Sequence, residues 1–77
     1  MTEYKTMIEA AQFHNAQAIT FAARNNSDES GYHAGQRNYF CGMLRNMGFK
    51  LPAPVYGKPE VLTEALNAIA DIAQVAA

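Results

Sequence analysis

The three prolines of the chain lie in one short segment, and this segment limits where helices can form. Pro52, Pro54 and Pro59 are the only prolines among the 77 residues. Proline donates no backbone hydrogen bond within a helix, and the residue before it favours an extended backbone. The sequence therefore predicts a non-helical connector at residues 50–58 with helices on both sides. We expect the connector to pack on those helices through its larger apolar residues, Leu51, Val55 and Tyr56.

Residues 3–24 are predicted to form the first helix. No glycine or proline interrupts this segment, and Thr2 is a suitable N-cap. Asn25 and Asn26 can end the helix, because asparagine tolerates the left-handed conformation. The short connection at residues 25–29 predicts an antiparallel hairpin with the helix that follows. The face predicted to be buried consists of Met7, Ala11, His14, Ala18 and Phe21.

A second helix is predicted for residues 30–47. At about 100° per residue, the larger side chains fall on one arc, and we expect that arc to face the core. The opposite arc is small or polar and includes Cys41 and Arg45. The residues predicted to face the core are Tyr32, His33, Gln36, Tyr39, Phe40, Met43, Leu44 and Met47.

The two ends of this second helix carry different signals. Gly48 suits the left-handed position after the last turn, and Phe49 can then contact Leu44 in a Schellman motif. The start is less well defined, because three neighbouring residues are suitable N-caps. These candidates are Ser27, Asp28 and Ser30.

Three glycines, Gly31, Gly35 and Gly42, lie on the small arc of the second helix. A glycine inside a helix costs about 1 kcal/mol relative to alanine. One interpretation is that a neighbouring helix crosses closely at this stripe. The alternative is that a ligand or the backbone of a partner approaches there, between Arg37 and Arg45.

The third predicted helix spans residues 59–75, and Pro59 fits its first position. Its apolar arc covers more than half of the circumference, which is more than one hairpin can bury. Either the helix is wedged centrally or it packs against another copy of the chain, and exposed apolar patches of this kind often mark interfaces. We expect a homo-oligomer with an interface formed by Leu62, Leu66, Ile69 and Ile72.

Length and composition restrict the class of protein. With 77 residues, the chain is predicted to be a single all-α domain, residues 1–77, whose small core favours oligomerisation. One cysteine cannot form an internal disulfide, and no apolar run is long enough to span a membrane. We expect no signal peptide, no membrane association and a cytoplasmic location.

The sequence gives no pattern of residues typical of an enzyme. His14, His33 and Cys41 do not have the spacing of metal ligands, and no paired carboxylates are present for acid–base chemistry. His33 and Cys41 are about 80° apart on a helix, which also argues against a Cys–His nucleophile. We therefore expect no metal, no cofactor and no catalytic residue.

Positive charge is concentrated in the middle of the chain. No acidic residue lies between Ser30 and Pro59, although the net charge of the chain is −1. Six basic residues contact few phosphates, so nucleic-acid binding is not expected. Arginine can instead hold a small anion bidentately, and an exposed tyrosine can stack on a base. The candidate binding residues are Tyr32, His33, Gln36, Arg37, Arg45 and Lys50.

These observations support three hypotheses about function. The first is a small non-enzymatic binding protein that inhibits or sequesters a protein partner stoichiometrically. The second is an oligomeric protein that sequesters a small, anionic, nucleotide-like ligand through arginine and tyrosine side chains. The third is a structural or assembly subunit. Partners under these hypotheses are further copies of the chain and either a protein or a small anion.

Overall fold

The computed structural model describes residues 3–55 and 57–76, with side chains for 5–55 and 57–73. It contains three helices, α1 (Glu3–Ala23), α2 (Ser27–Asn46) and α3 (Glu60–Ala76), and no strand within these ranges. The prediction of an all-α fold is confirmed. Helices α1 and α2 pack closely as a hairpin, and α3 packs on α1. Thr2 and Tyr56 lie outside the described residues.

One asparagine pair both ends α1 and begins α2. Asn25 has a φ of 59°, and Asn26 N donates to Phe21 O at 2.9 Å, as in a Schellman motif. Asn26 is also the N-cap of α2, because its side-chain oxygen accepts from Glu29 N at 3.2 Å. The predicted N-caps Ser27, Asp28 and Ser30 are therefore wrong, and α2 begins three residues earlier than predicted.

The predicted Schellman motif at the end of α2 is confirmed. Gly48 has a φ of 103°, a conformation that strains side-chain-bearing residues. Gly48 N donates to Arg45 O at 3.0 Å, and Phe49 N donates to Leu44 O at 3.1 Å. Phe49 packs against the core cluster. This turn therefore directs the connector back toward the helices.

Among the described residues, the core combines side chains of all three helices with Leu51 of the connector. Leu44 and Ala11 are fully buried, and Leu51 is 8% exposed, which agrees with the predicted packing of the connector. Val55, in contrast, is 46% exposed. The core cluster consists of Ile8, Ala11, Cys41, Leu44, Leu51, Leu62, Leu66, Ile69 and Ala73.

The predicted oligomer interface on α3 is corrected by this core. Leu62, Leu66 and Ile69 are at most 8% exposed within a single chain, because they pack against the hairpin. Only Ile72 of the four predicted residues is exposed, at 63%. Homo-oligomerisation itself stays a prediction, but three of the four residues predicted to form the interface are buried within the chain.

The buried face of α2 also differs from the prediction. Cys41 is 1% exposed, whereas Tyr32 and Tyr39 are 58% and 62% exposed. Cys41 belongs to the core cluster together with Ala11 of α1, and the two tyrosines lie outside this cluster. The predicted arc is confirmed for Leu44, which is fully buried, and for Phe40, which packs against the core cluster. It is wrong for the three exposed residues Tyr32, Tyr39 and Met47.

The glycine stripe of α2 is not crossed by another helix of the chain. A Cβ atom placed at Gly31, Gly35 or Gly42 would meet no described atom within 4 Å. The interpretation that a helix of the same chain crosses there is wrong. The approach of a ligand or a partner stays a prediction.

Burial makes Cys41 a probe of unfolding. The pKa of its thiol is raised by burial, an effect that Arg45 and Arg37 partly oppose, so little reactive thiolate forms in the native protein. We expect Cys41 to react with a disulfide reagent such as Ellman's reagent only as the chain unfolds. In increasing urea, the rate should follow the helical circular dichroism. Rapid modification in native buffer would contradict this packing.

None of the described helices is long and apolar enough to cross a membrane.

Candidate functional site

A groove of about 740 Å³ lies between the helical hairpin and the connector. Much of its wall is apolar, with Ala18, Ile19 and Ala22 from α1 and Pro54 and Val55 from the connector. This volume is in the range of small-molecule sites, which typically combine apolar walls with a few polar groups. The groove is therefore the best candidate for a binding site in the described chain.

The polar groups of the groove are Asn15, Ser30, Arg37 and Lys58. They come from α1, α2 and the connector, so the tertiary fold brings together residues that are as far apart in sequence as Asn15 and Lys58. Ser30 Oγ donates to Ala18 O at 2.8 Å and can still accept a hydrogen bond. Two of the four groups are basic and none is acidic, which gives the groove a positive character.

Arg37 is the central charged residue of this groove. Its Nη1 donates to Asn15 Oδ1 at 3.4 Å and its Nε donates to Asn38 Oδ1 at 3.1 Å. Within the described part of the chain, no carboxylate forms an ion pair with it. Burial lowers the pKa of Arg37, but an arginine remains charged in a protein. Its positive charge is therefore partly desolvated and not neutralised by an acidic side chain.

Asn15 forms the polar junction that links Arg37 to α3. It is 4% exposed, and its Nδ2 donates to Thr63 Oγ1 at 2.8 Å. Thr63 Oγ1 in turn donates to Pro59 O at 3.0 Å. Asn15 was not predicted as a site residue, although it is a polar residue in the apolar repeat of Ile8, Ala11 and Ala18. Buried polar groups of this kind are normally hydrogen-bonded.

The structure brings only Arg37 of the candidate binding residues into the groove. Arg45 holds the connector instead, donating from Nε to Leu51 O at 3.0 Å and from Nη2 to Pro52 O at 2.8 Å. Ser30 and Lys58 also line the groove, but they were not among the binding residues predicted from the sequence. Candidates that do not line the groove are Tyr32, His33, Gln36, Arg45 and Lys50.

His33 lies in an aromatic cluster on the hairpin rather than in the groove. Its Nδ1 is 2.8 Å from Nδ1 of His14, and its Nε2 is 3.9 Å from Glu29 Oε2. Phe21 stacks on His33, and Phe40 stacks on His14. One Nδ1 must donate and the other accept, so the pair cannot be protonated at both of these nitrogens. This contact joins α1 to α2.

This histidine pair predicts that the protein loses stability in mild acid. Burial, and then the nearby His33, lower the pKa of His14 below 6.5. The unfolded chain therefore binds more protons, and folding is destabilised as pH falls below about 6.5. Urea unfolding between pH 8 and 5 should show this loss. The variant His14→Phe should have a flatter profile, and an unchanged slope would contradict the assignment.

No three His, Cys, Asp or Glu side chains converge as a metal site within the described residues. Cys41 is buried within the core cluster. The side chains at the groove instead offer hydrogen-bond donors and positive charge. Their chemistry fits the binding of an anion.

No known protein family, curated protein or solved structure matches this chain. The geometry and chemistry of the groove are therefore the basis for a proposed function.

Proposed function

We propose that this protein is a non-enzymatic binding protein that holds a small organic anion in the groove. The observation that carries the proposal is Arg37, a partly buried cation without a carboxylate partner in the described chain. Such a group can bind an anion without first breaking an ion pair. The ligand class is an apolar or aromatic body with a carboxylate or phosphate group.

The apolar wall and the charged groups suit different parts of such a ligand. Ile19, Pro54 and Val55 offer contacts to an apolar ring. Arg37 can give two parallel hydrogen bonds to a carboxylate or phosphate, and Lys58 adds a second positive charge on the connector. Asn15 keeps the guanidinium in place through its side-chain oxygen. This division of contacts is common in small-molecule sites.

The hypothesis of a sequestered protein partner has separate support. Phe13, Tyr32, Tyr39 and Met47 are between 47% and 62% exposed, and exposed aromatic residues are common in protein interfaces. That surface is distinct from the groove lining. We favour the small anion because the groove combines concave shape with unneutralised charge. The structural-subunit hypothesis has no specific observation in its favour.

Calorimetric titration with adenosine monophosphate, cyclic adenosine monophosphate, phenyl phosphate and benzoate tests the proposal. We expect at least one of these probes to bind, and we expect Arg37→Ala to weaken binding by about 10- to 100-fold, since hydrogen bonds to charged groups contribute about 1.5–3 kcal/mol. Arg37→Lys should retain part of the affinity, because lysine keeps the charge but lacks the planar fork. Binding should weaken as salt rises.

Lys5→Ala is the matched control for charge. It removes one positive charge from α1 about 15 Å from Asn15, at 1.5 Å per residue, and should leave affinity within about twofold. Equal losses in Arg37→Ala and Lys5→Ala would indicate nonspecific attraction and contradict the proposal. Absence of binding for all four probes, together with a co-purifying protein retained by Arg37→Ala, would favour protein sequestration instead.

A further inference from the structure

The outward face of α2 has a regular alternation of large and small residues. Tyr32, Gly35, Tyr39 and Gly42 are three or four positions apart and fall within about 80° of the helix circumference. The two tyrosines are 58% and 62% exposed. A Cβ atom at either glycine would meet no described atom within 4 Å. The ring of Tyr32 contacts His14 and His33, and the ring of Tyr39 contacts Phe40, each edge to face. The exposed parts of the two tyrosines therefore form ridges beside the open glycine notches.

Neither the core nor the groove explains this pattern. Glycine is the poorest helix former apart from proline, and the structure shows no contact that requires it at these positions. Exposed tyrosines, in turn, are typical anchors of protein interfaces. A second surface that contacts this face would use both features together.

We propose that this face of α2 pairs with the same face of a second copy of the chain, with the two helices antiparallel. The register that places Tyr32 over Gly42 of the second copy also places Tyr39 over Gly35 of that copy. Both tyrosines therefore find a notch in a single arrangement. Such a contact is isologous, since each copy contributes the same residues across a two-fold axis.

Charge decides the direction of pairing. The first turn of α2 carries Asp28 and Glu29, its last turn carries Arg45, and Lys50 follows. Antiparallel helices place the acidic end of one copy beside the basic end of the other. Their macrodipoles then run in opposite directions, which is also favourable. Parallel helices would bring like charges together and place each tyrosine against its own equivalent. The self-complementary arrangement is therefore the antiparallel one.

Sedimentation equilibrium of the full chain tests this proposal. We expect the unmodified protein to dimerise at micromolar concentration and Gly42→Gln to raise the dimer dissociation constant by roughly 30-fold, the loss typical of displacing an aromatic anchor. Ala68→Gln is the control, because Ala68 is exposed and lies on α3, away from the proposed interface. It should leave the dissociation constant within about twofold. Monomers up to millimolar concentration would overturn the proposal.

A complementary exchange tests the register. Gly35→Tyr and Tyr39→Gly should each weaken the dimer, whereas the double variant carrying both should restore it, because ridge and notch are only interchanged. Circular dichroism of each variant establishes that the helices are retained. If the double variant dimerises as weakly as the single variants, the register is wrong. If the natural occupant of this face is a different protein, the double variant should not restore dimerisation.

Discussion

Replacing Leu66 with alanine is expected to lower the free energy of unfolding by about 2–5 kcal/mol. Leu66 is 1% exposed and belongs to the cluster that joins α3 to the hairpin. Alanine removes apolar contacts and leaves a cavity that the surrounding helices fill only partly. Small domains have little stability to lose. Urea denaturation, followed by circular dichroism at 222 nm, measures the effect.

Ile72→Ala is the control on the same helix. Ile72 is 63% exposed, so its truncation should change the free energy of unfolding by less than about 0.5 kcal/mol. The comparison distinguishes a buried residue of α3 from an exposed one, although the sequence predicted both to lie in an oligomer interface. Equal losses for Leu66→Ala and Ile72→Ala would mean that the exposed side of α3 is also packed, and the core assignment would be contradicted.

Asn15→Ala is expected to cost about 1–3 kcal/mol, although the residue has no charge. Its side chain bonds Thr63 on α3 and Arg37 on α2. Removing it deprives two partly buried polar groups of a partner and leaves space at the junction of three helices. Unfolding in urea reports this loss. The same variant should also weaken binding of an anion in the groove, because Arg37 loses the contact that orients it.

Gln12→Ala provides a matched comparison for this junction. Gln12 also joins α1 to α3, with its Nε2 donating to Asn67 Oδ1 at 3.0 Å, but this hydrogen bond is exposed. Water can replace it, so the loss should remain below about 0.5 kcal/mol. If Gln12→Ala costs as much as Asn15→Ala, burial of the Asn15 network is not the reason for its contribution.

Local signals in the sequence predicted the three helices and several of their ends. The prolines marked the connector, and Gly48 marked the end of α2, because these residues restrict or permit particular backbone angles. Asn26 was missed as the N-cap of α2 because one residue serves both helices. Such signals act within a few residues, so they are visible in a sequence without knowledge of packing.

The sequence predicted only part of the buried face of α2, which includes Leu44. The prediction rested on side-chain size, so it placed Tyr32 and Tyr39 inside and left out Cys41, which is 1% exposed. The choice between these faces depends on the shape of the neighbouring helix. Periodicity within one helix does not contain that information.

The groove was only partly predictable for a related reason. Arg37 was identified because it lies in a basic segment without acids, a feature of the sequence alone. Asn15, Ser30 and Lys58 join it only through the packing of α1, α2 and the connector. Arg45 belonged to the same basic segment, but it forms hydrogen bonds with connector carbonyls instead. Composition located the charge but did not show which arginine faces a cavity.

A nuclear magnetic resonance titration tests the proposed anion site most directly. Amide ¹H–¹⁵N spectra of the full chain would be recorded with increasing adenosine monophosphate or phenyl phosphate. The predicted result is a saturable set of chemical-shift changes at Ser30, Ala34, Arg37, Gly57 and Lys58. The Arg37→Ala variant should lose these changes, although its spectrum should still be that of a folded protein. Shifts confined to other surfaces, or no saturable shifts with either probe, would contradict the proposed function.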